Sequence, residues 1–175
     1  MMQIKIYNIL FGLIATIYIF GFILINYATP SSVIGVINGT EVKRIEKNET
    51  EISNDHKKSE NIRSKDVYYI YGETKNKKTW VMRNEDTGFG FPPYFKFNSA
   101  NIHAKAKSLE DSESLVSVTY YGWRSTIFSV FPNITSIKVT DEKESEQNLI
   151  AIFIYSIWGL IGTYILIRYL RIKKS

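Results

Sequence analysis

With 175 residues, 22 of them basic and 17 acidic for a formal net charge of +5, the chain has room for one folded domain. It has no cysteine, which excludes disulfides, thiolate metal sites and a cysteine nucleophile. The positive balance is not a nucleic-acid footprint, because Lys5, Arg168, Arg171, Lys173 and Lys174 stand at the two ends while the other 17 basic residues and all 17 acids lie between Glu41 and Glu146.

No charged residue occurs from position 6 to position 40, and 9–25 is an almost unbroken run of Ile, Leu, Phe and small residues. About 20 such residues cross a bilayer core of about 30 Å, and Tyr7 and Tyr27 stand where interfacial aromatics belong. Residues 1–28 are therefore predicted to form a transmembrane helix kept as a signal anchor. Cleavage after Ala28 would put Asn26 where a small residue is needed, and the apolar run exceeds a signal-peptide core.

Thr29-Pro30-Ser31-Ser32 reads as an exit linker. The β-branched stretches 33–37 and 40–45 join across Asn38-Gly39, either as a tight hairpin or as one long strand with a bulge. In 46–65 only Ile52 and Ile62 are apolar, so a mobile charged loop is expected there. Strands follow at 66–73 and 79–83 around a polar turn at 74–78.

After the turn-rich stretch 84–100, Ser99 is expected to cap a helix of about 10 residues in which Ile102, Ala106 and Leu109 share a face. Strands at 114–121 and 134–139 complete the middle. The class is α+β, and the order of strand, strand, strand, helix, strand, strand is that of a five-stranded OB-like β-barrel, with an open sheet and one packed helix as the alternative.

Residues 148–168 form the second predicted span. It is followed by the basic tail 169–175, and the four bases Arg168, Arg171, Lys173 and Lys174 mark that end as cytoplasmic. Two spans then put both termini in the cytoplasm and the domain 29–147 outside, as expected for a two-pass protein of a bacterial inner (plasma) membrane. Gly12, Thr16, Gly159 and Thr163 place small residues four apart on each helix, a pattern compatible with close pairing.

The stretch 84–100 packs acids, glycines, Pro92-Pro93 and five aromatics into one shaped loop. Gly88-x-Gly90 has Pro93 where a dinucleotide fingerprint needs a third glycine. A calcium loop from Asn84 would meet Phe89 and Phe95 where it needs Gly and Glu. The residues instead suggest an Asx-type turn at Asn84 or Asp86 that leads the aromatics into a small core, or else a ligand or partner groove lined by them.

The run Arg83-Asn84-Glu85-Asp86-Thr87-Gly88, then Pro92-Pro93-Tyr94-Phe95-Lys96-Phe97 and Asn98-Ser99-Ala100, resembles the signature of an uncharacterised bacterial membrane-protein family, domain of unknown function 1523. Gly39-Thr40-Glu41-Val42, Tyr121-Gly122-Trp123-Arg124 and Phe131-Pro132-Asn133 extend the resemblance over about residues 33–140. The resemblance implies a bacterial membrane location but no activity and no catalytic residue.

Taken singly, His56 is expected to be solvated and His103 to lie on the short helix with no second histidine for a metal. Arg124 is expected to pair with Asp86 or Glu85, and the apolar stretch 126–132 to be core rather than to touch the outer leaflet. The expected function is an interaction or assembly module of the cell envelope, with no cofactor. Its expected partners are the lipid bilayer and an envelope protein or a second copy of itself. The contact residues would be Glu85, Asp86, Phe89, Phe91, Tyr94, Phe95, Trp123 and Arg124. The rival reading is a membrane-tethered hydrolase or small-ligand binder, which needs Glu85, Asp86, Tyr94, His103 and Arg124 to converge.

Overall fold

The computed structural model describes residues 2–51, 59–141 and 149–174. They divide into two units, one formed by the two ends of the chain and one by residues 32–145. In chain order the elements are α1 (Met2–Ala28), β1 (Ser31–Glu51), β2 (Ser59–Thr74), β3 (Thr79–Asn84), α2 (Ser99–Leu109), β4 (Val116–Tyr121), β5 (Asn133–Val139) and α3 (Leu149–Lys174).

The strands close into a barrel in the order β1-β2-β3-β5-β4. Neighbours β1 and β2, β2 and β3, and β4 and β5 are antiparallel, whereas β3 and β5 meet in parallel at Arg83 and Asn133. This is the strand order of an OB-like barrel, closed rather than open. Asn38-Gly39 makes a bulge within one continuous β1, the register shifting between Ile37 and Gly39. Close approach of strands uses glycine where a side chain has no room: a Cβ on Gly35 would lie 2.2 Å from the Glu73 carbonyl oxygen.

The charged stretch 46–65 is not a loop throughout, because β1 and β2 stay paired from Glu46 and Ser64 out to Glu51 and Ser59, while 52–58, with His56, lies outside the described residues. An antiparallel ladder is a main-chain structure that propagates from the barrel without needing apolar side chains.

The core gathers Ile37, Ile70, Met82, Val116, Val118, Ile134 and Ile137 from the strands, and Ile102 and Ala106 from one face of α2, with Leu109 packed at its edge. Side chains alternate in and out along β4 until a register shift between Thr119 and Tyr120 changes the phase and turns Tyr121 inward. Each fully buried aliphatic side chain here contributes about 1.5–3 kcal/mol relative to exposure.

The other unit holds two helices, long and apolar enough to cross a membrane, over Ile6–Ala28 and Ala151–Lys173, with mean hydropathy 2.3 and 1.6. Each run of 23 residues is about 34 Å long. They pair antiparallel through aromatic side chains. Phe11 stacks on Tyr169 at 3.9 Å, Tyr18 stacks on Trp158 at 5.0 Å, and the Tyr18 hydroxyl donates to the Trp158 carbonyl at 2.8 Å.

The glycines that make room are Gly21, under Trp158, and Gly162, under Tyr18. Gly12 and Gly159 face open space, and Thr16 and Thr163 bond back to the carbonyls of those same glycines, so the small residues expected to pair the helices do not. Large rings seated on single glycines replace contact between two stripes of small residues.

Candidate functional site

Where β3 ends, the chain folds into a loop that closes on itself. The amides of Thr87 and Gly88 donate to the Lys96 carbonyl at 3.2 and 3.3 Å, and the Lys96 amide donates back to Thr87 Oγ1 at 3.2 Å. Gly88 has φ +54, a left-handed conformation that glycine adopts without strain. Thr87, Pro92 and Lys96 thus define a compact lobe rather than an extended strand.

The inner side of this lobe is polar. Lys96 is buried, at 5% exposure, and its ammonium donates to Oδ1 of Asn84, itself fully buried. Asn84 Nδ2 donates onward to the Ser99 carbonyl at 2.7 Å. Burial pushes the Lys96 amine down to about 8, against the pull of Asp86 and Glu85. Asp86 Oδ1 accepts the Ser99 amide at 2.9 Å, so the first turn of α2 is capped from the loop by Asp86 and not by Ser99, its own first residue.

Asn133, at the start of β5, joins the lobe to the barrel. Its Oδ1 accepts the Glu85 amide at 2.9 Å, and its Nδ2 donates to the Glu85 carbonyl at 3.1 Å and to the Tyr121 hydroxyl at 2.9 Å. Tyr94 stacks flat on Tyr121 with centroids 4.7 Å apart, and burial raises its hydroxyl to about 12. The Arg83 amide donates to the Pro132 carbonyl at 2.9 Å, and the Arg83 guanidinium pairs with Glu85 at 2.9 Å.

The outer side is apolar. Phe89 is 86% exposed, and Phe91, Phe95 and Phe97 lie near 60%. Phe89 meets Phe95 and Phe97 edge to face at 5.9 and 5.6 Å, so these rings form one cluster rather than separate points. The expectation that the aromatics line a small core fails for these four. Lys96, flanked by Phe95 and Phe97, takes the inward position, while Phe95, at φ 48, and Phe97 turn their rings out. A cleft of about 370 Å³ beside them is lined by Tyr94, Phe95, Lys96, Phe97, Asn98 and Thr135.

Arg124 does not reach Glu85 or Asp86. Its guanidinium lies 3.9 Å over the Phe131 ring and donates to the carbonyls of Ser125 and Val130 at 2.7 and 2.9 Å. The nearer Arg83 takes Glu85 instead, and the α2 amide takes Asp86. The stretch 126–132 is core only in part: Pro132 is buried and Val130 and Phe131 half-buried, while Ile127 and Phe128 are 87% and 78% exposed. Trp123 is 45% exposed.

His103 stacks on Tyr68 at 4.5 Å, and burial lowers its pKa. Among the described residues no group of three metal-ligating side chains occurs. Of the five residues the hydrolase reading needs together, only Tyr94 lines the cleft, and the other four take the separate partners given above. Sequence reasoning singled out Asn84 only as a turn former and missed Lys96 and Asn133, which with it hold the loop. The available signal was a lysine and two asparagines inside otherwise apolar or turn-forming runs.

Fold and surface together define a small closed OB-like barrel, flanked in sequence by two bilayer-length apolar helices. The chain belongs to the family described as protein of unknown function DUF1523, which matches residues 5–173. An uncharacterised protein of Haemophilus influenzae is 36% identical over 152 residues, covering 87% of this chain and 86% of that relative. No solved structure matches the chain.

Proposed function

We propose that the protein is a two-pass membrane protein of the bacterial inner membrane. In this reading it displays its barrel on the extracytoplasmic side, as an interaction or assembly module of the cell envelope. Arg168, Arg171, Lys173 and Lys174 at the end of the second apolar helix support cytoplasmic termini. The observation that carries the interaction role is the cluster of Phe89, Phe95 and Phe97, with Phe91 exposed on the same loop, on a lobe fixed by buried polar bonds. Aromatic rings presented on a fixed backbone lose little conformational freedom on binding, which is how interface anchors work.

Glu85 and Asp86 precede the phenylalanines on the same loop and Tyr94 lies among them in sequence, with Trp123 and Arg124 on the connection between β4 and β5. An envelope protein with an apolar recess and a polar rim fits such a surface, as does a second copy of the chain. A photo-crosslinking residue at Phe91, in cells expressing the full chain, tests this. One discrete crosslinked protein, lost when Phe89 and Tyr94 are also replaced, supports the reading, and absence of any crosslink overturns it. A reporter fused at about residue 55 tests orientation separately, and activity only in the cytosol overturns the extracytoplasmic placement.

A further inference from the structure

The connection between β4 and β5 carries a second apolar projection whose construction differs from that of the phenylalanine cluster. Ser125 and Val130 exchange both main-chain hydrogen bonds, each 3.0 Å, which closes Thr126-Ile127-Phe128-Ser129 into a four-residue tip. Ser129 N–H donates to the Thr126 carbonyl, Phe128 N–H donates to Ser125 Oγ, and Ser129 has φ 50. From below, the Arg124 guanidinium binds both base carbonyls while stacking on Phe131, and Phe131 packs edge-on against Tyr69 of β2 at 5.3 Å. The tip is therefore a short finger seated on the barrel, with Ile127 and Phe128 at its end, almost wholly exposed.

We propose that this finger inserts Ile127 and Phe128 into the lipid bilayer, with Arg124 at the level of the phosphate headgroups. Three observations select lipid over a protein recess or a second copy. The sequence carries no charge from Ser125 to Ile137, so the finger has none of the ionic rim that Arg83, Glu85 and Asp86 give the phenylalanine lobe. Its one cation lies at the base, behind an apolar tip, which is the arrangement of a side chain pairing with anionic headgroups while its neighbours enter the acyl region. Finally, only Thr29 and Pro30 separate the apolar helix α1 from β1, so a bilayer spanned by α1 is always within reach of the barrel and even weak insertion is favoured by tethering. The inference rests on the proposed reading that α1 and α3 span a membrane.

The absence of cysteine allows single labels on the otherwise native full chain. An environment-sensitive fluorophore is placed at Phe128→Cys, at Asn76→Cys in the exposed turn between β2 and β3, and at Leu160→Cys in α3. The labelled proteins are reconstituted in vesicles of mixed neutral and anionic phospholipid, with spin-labelled lipid as quencher. The label at 128 is expected to shift to the blue and to be strongly quenched by a shallow spin label, at a depth of about 5–10 Å, while the label at 76 stays water-like. Ile127→Cys repeats the measurement should Phe128→Cys fold poorly.

A water-like, unquenched label at both 127 and 128, with 160 quenched, overturns the finger and leaves the two-span reading intact. So does a blue shift without lipid quenching, which means protein covers the tip. Quenching at 76 as strong as at 128 also overturns it, since the barrel would then lie in lipid without a specific finger. A label at 160 that lipid does not quench overturns the two-span reading itself, and the insertion proposal with it.

Discussion

The barrel and the lobe 84–98 are built on opposite rules. In the barrel, Ile70, Val116, Val118 and Ile134 have no exposed surface. In the lobe, Asn84 and Lys96 are buried and four phenylalanines face out. A barrel can be held by non-directional burial, which tolerates any well-packed apolar set. A surface that must keep phenylalanines exposed cannot use them for its own stability, so directional bonds from Asn84, Asp86, Lys96 and Asn133 take over that role.

Substitutions at the centre of the barrel and of the lobe separate the two rules. Ile70→Ala is expected to cost about 2–5 kcal/mol by leaving a cavity in the barrel. Asn84→Ala is expected to cost about 3 kcal/mol, because it strands the Lys96 ammonium and the Ser99 carbonyl without partners. Denaturant unfolding of the detergent-solubilised chain measures both. A loss well under 1 kcal/mol for Asn84→Ala would mean that polar bonding does not hold the lobe.

Lys96 gives the same contrast a pH signature. Folded, its amine titrates at about 8, against an ordinary 10.5. Below pH 8 both states carry the proton, and the burial penalty on the ammonium is full and constant. Between pH 8 and 10.5 the unfolded chain keeps a proton that the folded one has lost, so the stability attributable to Lys96 rises with pH across that window. The full rise is about 3 kcal/mol, and Lys96→Met should abolish it. Parallel stability profiles of the two proteins from pH 7 to pH 10.5 would show that the buried ammonium is not under strain. Smaller again, Asp86→Ala should cost about 1 kcal/mol through loss of the α2 cap. That loss should add to the loss from Arg124→Ala within about 0.5 kcal/mol, since the two side chains take different partners.

The strand order and the apolar helices were legible because each rests on local pattern: β-branched runs punctuated by Asn38-Gly39 and the polar turn 74–78, and long charge-free stretches beside terminal bases. What was not legible depended on contacts between distant positions. Hydropathy alone assigns the phenylalanines of 94–97 to the inside, and nothing local marks Lys96 as the residue that turns in. The choice is made by Asn84, 12 residues earlier, accepting from Lys96. Likewise Gly12 and Gly21 look alike in sequence, and only the position of Trp158 separates an open glycine from one in the helix contact. Ile127 and Phe128 read as core because the hydrogen bonds that fold their tip outward leave no mark in hydropathy.

The smallest effect on stability is also the most informative about function. Phe91→Ser should change the unfolding free energy by no more than about 0.5 kcal/mol, and Phe89→Ser by only a little more, through its edge contacts with Phe95 and Phe97. With the crosslinking residue moved to Phe97, the same pair should abolish crosslinking from the lobe, because rings that do not support the fold are the ones free to support a complex. The opposite pattern, a destabilised barrel with crosslinks intact, would make the phenylalanines part of the fold after all. The two construction rules would then be one.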